Sequence, residues 1–183
     1  IPNLTYFSPA EVQLIQEDWN VSGGKVGYIA GAGDEGPEVL SALGYQVSFL
    51  EEDNLELDEL KQYQAIVVGI RAYNIKEALA TKQQVLLDYM NLGGNLILQY
   101  NTSSPLVTSQ LGPYPFEIGR DRVAVEGSPV DGDWESSLLS SPNKIKQKDF
   151  EGWVQERGLY FASKVDERYK SPLTLQDPGE TPT

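Results

Sequence analysis

Residues 65–70 form an unbroken apolar run, and this run restricts the possible folds more than any other feature. A strand with one solvent-facing side alternates polar and apolar residues, whereas a continuous run is typical of a strand buried on both faces. Three further strand patterns and three helical patterns alternate around it. The strands are expected at 25–30, 45–50 and 95–100, and the helices at 37–43, 57–63 and 76–92. This alternation predicts an α/β fold with a doubly wound, mainly parallel sheet.

The chain is expected to contain one main domain, over residues 25–178. Residues 1–24 are interpreted as an N-terminal helix and linker, since Ser8-Pro9-Ala10-Glu11 has the pattern of a capping box. After Asn101 the helical rhythm is lost, and only short strands are predicted. They are expected near 122–126, 158–162 and 172–176. Residues 179–183 are a polar tail, and fraying is expected from Asp177 onward.

Composition excludes several classes of function. The 183 residues contain neither Cys nor His, which excludes disulfides, thiolate nucleophiles and every Ser-His or Cys-His catalytic arrangement. The formal net charge of −13 disfavours nucleic acid and anionic membranes as partners. No apolar run is long enough to predict a membrane span. We predict no metal site either, and interpret Asp131-Gly132-Asp133 as a turn because calcium needs more ligands.

The residues Gly31-Ala32-Gly33-Asp34-Glu35-Gly36 match the G-x-G-x-x-G dinucleotide fingerprint between a strand and a helix. A pyrophosphate would be held there by backbone N–H groups, and the carboxylates of Asp34 and Glu35 would repel it. The same two residues, placed before Pro37, favour the start of a helix. We therefore predict no bound cofactor, and interpret the glycines as a tight turn from a parallel strand into a helix.

Polar side chains follow three of the predicted strands, at the edge where parallel sheets bind ligands. The candidate ligand-binding residues are Asp34, Glu35, Arg71, Tyr73, Asn74, Tyr100 and Asn101. If their loops converge, these groups form a polar pocket suited to a sugar or another small polar ligand. The alternative is an ion pair between Arg71 and Asp34 or Glu35, with the two amides capping loops.

A second aromatic segment lies at residues 149–161. It contains Phe150, Trp153, Tyr160 and Phe161 among charged residues. Such a segment suits an aromatic rim for a carbohydrate or a partner domain, or ordinary core packing with paired surface charges.

Several motifs resemble the C-terminal domain of large bacterial PIG-L/LmbE-type proteins. They are GIRAYN (69–74), QYNT (99–102), LGPYPF (111–116) with RDRV (120–123), and DFEGWVQERGLYF (149–161). Proteins of this type join a zinc-dependent sugar N-deacetylase to a domain similar to class I glutamine amidotransferases. The resemblance, over about residues 25–178, implies a flavodoxin-like fold and a deacetylase domain of the same polypeptide as partner. It also implies that the domain continues past Thr183.

The amidotransferase comparison implies the absence of catalysis in this chain. That fold carries a Cys nucleophile on a turn after a central strand, and the nearest position here is Asn101, whose amide is no nucleophile. Ser103 and Ser104 follow, but no His is present to activate them. The deacetylase is absent as well, because its metal signature needs His.

The function favoured by the sequence is therefore a non-catalytic accessory domain that positions substrate for, or packs against, a deacetylase. Alternatives are an independent hydrolase using Asp34, Glu35 and Tyr73, and a purely structural module in which Arg71→Ala lowers stability. A sheet that is truncated would expose a strand edge, which predicts self-association.

Overall fold

The structure, a computed structural model, describes residues 18–152 and 158–183, together with residues 10, 14 and 16. Its centre is a four-stranded sheet in which every pairing is parallel. The strands are β1 (Gly24–Ile29), β2 (Tyr45–Phe49), β3 (Ala65–Val68) and β4 (Asn95–Leu98). Their order, β2-β1-β3-β4, agrees with the first four strands of the flavodoxin-like order. The predicted α/β fold with a mainly parallel sheet is confirmed.

Strand β3 lies inside the sheet and is covered on both faces, which explains its uninterrupted apolar sequence. It pairs with β1 on one side and with β4 on the other. Ile66 and Val68 belong to the main core cluster, whereas Val67 packs with Val26 and Tyr28 in a second cluster. Because successive side chains of a strand point to opposite faces, these two clusters lie on the two sides of the sheet.

Helices cover both faces, as expected for a doubly wound sheet. They are α1 (Gly36–Ala42), α2 (Leu57–Leu60), α3 (Ala72–Ile75) and α4 (Leu79–Asn91). Leu40 of α1 packs on the smaller cluster, and Leu60 of α2 and Leu86 of α4 belong to the main core. The single helix predicted over 76–92 is instead preceded by a separate short helix, because Lys76 adopts an extended conformation between α3 and α4.

The described residues of the C-terminal half form three two-stranded antiparallel pairs, one short α-helix and a 3-10 helix at Gln147–Phe150. The pairs are β5 (Glu117–Ile118) with β9 (Ala162–Ser163), β6 (Arg122–Val123) with β8 (Gly158–Leu159), and β7 (Val130–Gly132) with β10 (Leu173–Leu175). The α-helix is α5 (Ser137–Ser140). The strand predicted over 158–162 is split at Tyr160, whose backbone is left-handed. The interpretation of residues 131–133 as a turn is wrong, since Asp131 and Gly132 pair within β7.

The tail is hydrogen-bonded to the domain rather than frayed. The carboxylate of Asp177 accepts hydrogen bonds from the backbone N–H groups of Ala124 (2.9 Å) and Val125 (3.1 Å) and from the Ser128 hydroxyl (2.6 Å). These hydrogen bonds hold the pKa of Asp177 below its ordinary value, and the one from Ser128 contributes most. The backbone of Thr183 exchanges hydrogen bonds with Leu175 at 2.9 and 3.2 Å.

Two predictions concern residues outside the described ranges. One is the N-terminal helix expected from Ser8-Pro9, and the other is the part of the aromatic segment that contains Trp153. Within the described residues, no helix combines the length and the apolar character that crossing a bilayer requires.

Candidate functional site

The loops that follow β1, β3 and β4 meet at one edge of the sheet. The backbone N–H of Ala32 donates to the carbonyl of Ile70 at 2.7 Å, and that of Arg71 donates to the carbonyl of Tyr100 at 2.7 Å. A Cβ atom at Gly31 would overlap the Ile70 carbonyl oxygen. The three loops are therefore in direct backbone contact.

Each glycine of the 31–36 motif has a packing or conformational reason inside the loop. Gly31 makes the close approach to the β3 loop, and Gly33 has a φ of +98°, which favours glycine. A Cβ at Gly36 would lie 2.6 Å from the Asp34 carboxylate and 2.7 Å from the Tyr28 hydroxyl. The motif thus closes a compact turn, as the sequence interpretation proposed.

Asp34 is engaged within this turn. Its carboxylate accepts hydrogen bonds from the Tyr28 hydroxyl (2.5 Å), the Gly36 N–H (2.8 Å) and, more distantly, the Ile70 N–H (3.4 Å). Burial, followed by the hydrogen bond and charge of Asp34, raises the pKa of Tyr28 above its ordinary value. Tyr28 therefore stays protonated and donates a hydrogen bond to Asp34. The Tyr28 hydroxyl also lies 2.8 Å from the side-chain amide of Gln99, beyond the end of β4.

The predicted ion pair between Arg71 and Asp34 or Glu35 is wrong. Among the described residues, no ion pair joins Arg71 to either carboxylate. The side chains of Arg71 and Glu35 are exposed, whereas Asp34 turns toward Tyr28. Arg71 has a left-handed backbone with a φ of +58°, and its position is set by the main-chain bond to Tyr100.

Tyr73 is directed into the core and not toward the crevice. It is fully buried, and its hydroxyl donates to the side-chain oxygen of Gln83 on α4. Burial raises its pKa above the ordinary value. The backbone N–H of Tyr73 donates to Oδ1 of Asn101 at 3.1 Å, and this hydrogen bond links α3 to the loop after β4.

The two amides cap loops, as the alternative interpretation predicted. Asn101 is only 4% exposed, and its Nδ2 donates to the Gln99 carbonyl at 2.8 Å. Asn74 accepts from the Thr102 N–H at 2.9 Å and donates to the Thr102 carbonyl at 3.1 Å. Its Nδ2 also donates to the Pro105 carbonyl. These side chains are used within the protein and hold residues 101–105 against α3.

A cleft of about 230 Å³ opens beside the carboxyl end of β4. It is lined by Leu98, Gln99, Tyr100, Asn101, Phe116, Ile118, Tyr160 and Ala162. The rings of Tyr100 and Tyr160 lie 5.9 Å apart at an interplanar angle of 52°, and Tyr100 is 43% exposed. The lining is uncharged, and it combines three aromatic side chains, Tyr100, Phe116 and Tyr160, with aliphatic side chains from β4, β5 and β9. The cleft is suited to binding a ligand rather than to catalysis, because its lining presents no strong base or nucleophile.

Of the seven predicted site residues, Tyr100 and Asn101 line this cleft. The other five do not: Asp34, Glu35, Arg71, Tyr73 and Asn74. Sequence reasoning missed Phe116 and Ile118, which lie in the irregular region after Asn101. Tyr160 belongs to the aromatic segment at residues 149–161, but no local pattern places it beside Tyr100.

Among the described residues, no group of three or more acidic side chains is arranged to hold a metal ion. Comparisons with family models, curated proteins and solved structures find no match for this chain.

Proposed function

We propose that the chain is a non-catalytic accessory domain of a larger LmbE/PIG-L-type sugar N-deacetylase, and that it binds a sugar in the cleft beside β4. The observation that carries this proposal is the pair of tyrosine rings, Tyr100 and Tyr160, over an apolar and uncharged lining. Aromatic faces take the apolar side of a sugar ring, and their hydroxyls remain available for hydrogen bonds. The volume is below the ~300–1,000 Å³ of pockets for drug-sized ligands, which suits a single ring.

The chemistry of the crevice supports binding without turnover. Asn101 is nearest to the position of an amidotransferase nucleophile. Its buried side-chain amide accepts a hydrogen bond from the Tyr73 N–H and donates one to the Gln99 carbonyl. The chain has no His or Cys, and both Tyr28 and Tyr73 have raised pKa values that keep them protonated. No residue of the cleft lining is a general base near neutral pH.

The alternative hydrolase gains no support from the geometry. It requires Asp34, Glu35 and Tyr73 to act together, but the side chains of Asp34 and Tyr73 are hydrogen-bonded on opposite faces of the sheet. Asp34 binds Tyr28 of the smaller cluster, whereas Tyr73 binds Gln83 within the main core.

Sugar binding is tested by titrating the 183-residue chain with methyl glucoside and N-acetylglucosamine while recording backbone amide chemical shifts. Shifts are expected at residues 98–101 and 160–162, and Tyr100→Ala should weaken binding roughly three- to tenfold, the value of one aromatic contact. Phe49→Ala is the matched control, because Phe49 is an exposed aromatic residue on the opposite edge strand, 62% exposed. It should leave the affinity unchanged.

Turnover is measured in the same samples by following the sugar signals over time. An unchanged sugar spectrum is expected. Hydrolysis that is abolished by Asp34→Asn would overturn the accessory role and favour the independent hydrolase.

A further inference from the structure

We infer that the cleft selects uncharged sugars over charged ones, and that the ring of Tyr160 is a determinant of this binding. The inference rests on the proposed function and specifies the charge class of the ligand at the same site.

Charge selection follows from the lining. The side chains of the cleft are aliphatic, aromatic or amide, and the amide of Asn101 is already bonded at both ends. Glu117, the charged neighbour of Ile118 on β5, is paired with Lys164 at 2.8 Å. An ammonium or carboxylate that enters the open cleft loses part of its hydration and meets no opposite charge among the lining residues, whereas a hydroxyl or acetamido group loses far less.

Tyr160 occupies an unusual backbone position for a tyrosine. Its φ is +62°, a left-handed conformation that a glycine adopts more easily. The turn is held on both sides, since β8 pairs with β6 and β9 pairs with β5, and the Tyr160 N–H donates to the Asp121 carbonyl at 3.0 Å. Strained residues persist where the surrounding structure enforces them, and they cluster at ligand sites. Here the enforced turn places the ring against Tyr100, at the wall of the cleft.

The net negative charge of the protein favours a different order of sugar affinities from the one that the cleft lining predicts. A net charge of −13 attracts cations and repels anions over long range, which by itself favours an amino sugar. The uncharged lining predicts a different order, in which a neutral sugar binds more tightly than either its cationic or its anionic counterpart. The two effects are separated at moderate salt, where long-range attraction is screened.

The test compares methyl glucoside, glucosamine and glucuronate at pH 6.5 in moderate salt, with affinities measured from the shifts of the cleft amides. The neutral sugar should bind at least about threefold more tightly than either charged sugar, because a charge that loses part of its hydration without gaining a partner is disfavoured. Equal or tighter binding of a charged sugar would overturn the selectivity and leave the proposed function standing. The absence of cleft shifts with all three sugars would overturn both.

The role of Tyr160 is tested with Tyr160→Gly, Tyr160→Ala and Tyr160→Phe. Glycine relaxes the left-handed turn, so the Gly variant should unfold at higher urea than the Ala variant. Both should nevertheless lose about the same affinity for methyl glucoside, roughly three- to tenfold, while the Phe variant stays within about twofold of the native protein. If the Gly variant binds like the native protein, or if affinity follows stability through the series, the ring is not a ligand contact and the inference fails.

Discussion

Asp34 and Arg71 lie at the same edge of the sheet, carry opposite charges and yet do not pair. Asp34 comes two residues before the start of α1, where the Gly36 N–H and the Tyr28 hydroxyl are within reach. Arg71 is held in a left-handed conformation by its N–H bond to Tyr100, and its side chain is exposed. The carboxylate of Asp34 is therefore hydrogen-bonded to donors close to it in the chain, and a main-chain hydrogen bond positions Arg71.

This assignment changes the expected effect of substitutions at Arg71. A structural ion pair would make Arg71→Ala destabilising, whereas an exposed side chain makes the loss of the guanidinium nearly neutral. The left-handed backbone predicts that Arg71→Gly is more stable than Arg71→Ala by about 1 kcal/mol. Urea unfolding of the two variants measures the difference. A result in which alanine is the more stable residue would contradict the left-handed conformation.

Acid sensitivity is expected at Asp166. Arg168 binds this carboxylate through two hydrogen bonds, at 2.7 and 2.8 Å, and lies over the ring of Tyr114 at 3.6 Å from its centroid. The hydrogen bond from Arg168 lowers the pKa of Asp166 to about 2. Because the folded pKa is below the unfolded value of about 3.9, the stabilisation is present above pH 4 and is lost as the pH falls toward 2.

The measurement compares the native protein with Asp166→Asn by urea unfolding at several pH values. The difference in stability between them should be largest near neutral pH and should shrink between about pH 4 and pH 2. Glu167→Gln is the control, because Glu167 is exposed and makes no ion pair within the described residues. A pH-independent difference for Asp166→Asn would contradict the pairing with Arg168.

At the scale of elements, the strands and helices of the first hundred residues are close to those that the pattern predicts. The end of β4 differs from the prediction, because the chain stops pairing with β3 there and turns into the loop at the sheet edge. Strand β4 was expected to reach Tyr100, but it ends at Leu98, and the three following residues turn to contact Tyr28, Arg71 and the cleft. Because Tyr100 continues the alternation of Leu96 and Leu98, periodicity does not reveal the end of the strand.

The β1–α1 turn is predicted to tolerate change very unequally at its glycines. Gly31→Ala should destabilise the protein by about 3 kcal/mol or more, because its Cβ meets the rigid backbone of the β3 loop. Gly33→Ala has open space around the new Cβ, so only the positive φ opposes it, at about 1–2 kcal/mol. Thermal or urea unfolding ranks the two variants. Equal effects would show that conformation rather than close approach determines the motif.

At the scale of the whole molecule, the sheet has two edge strands, β2 and β4, each with an exposed apolar residue. Phe49 on β2 is 62% exposed, and Ile97 on β4 is 50% exposed. Unpaired strand edges favour association with another chain, while a net charge of −13 opposes it between identical copies. The balance between these effects depends on salt.

Self-association therefore remains a prediction, with a defined salt dependence. Dimers should increase between about 0.05 and 0.5 M NaCl, because salt screens the mutual repulsion. Sedimentation at both salt concentrations measures this, and Phe49→Lys and Ile97→Lys identify which edge is used. A monomer under both conditions would contradict the prediction.

The alternation of strands and helices, the buried central strand and the tight glycine turn after β1 can all be predicted from local sequence. They depend on periodicity and on sterics between close neighbours in the chain. Which side chains share a site depends instead on how distant segments pack together. Tyr100 meets Tyr160 across sixty positions of sequence, Asn101 is used to hold Tyr73, and Asp34 turns to Tyr28 instead of Arg71. A side chain at a sheet edge points toward the strongest partner that the fold brings near, and that partner is set by packing over long distances in sequence.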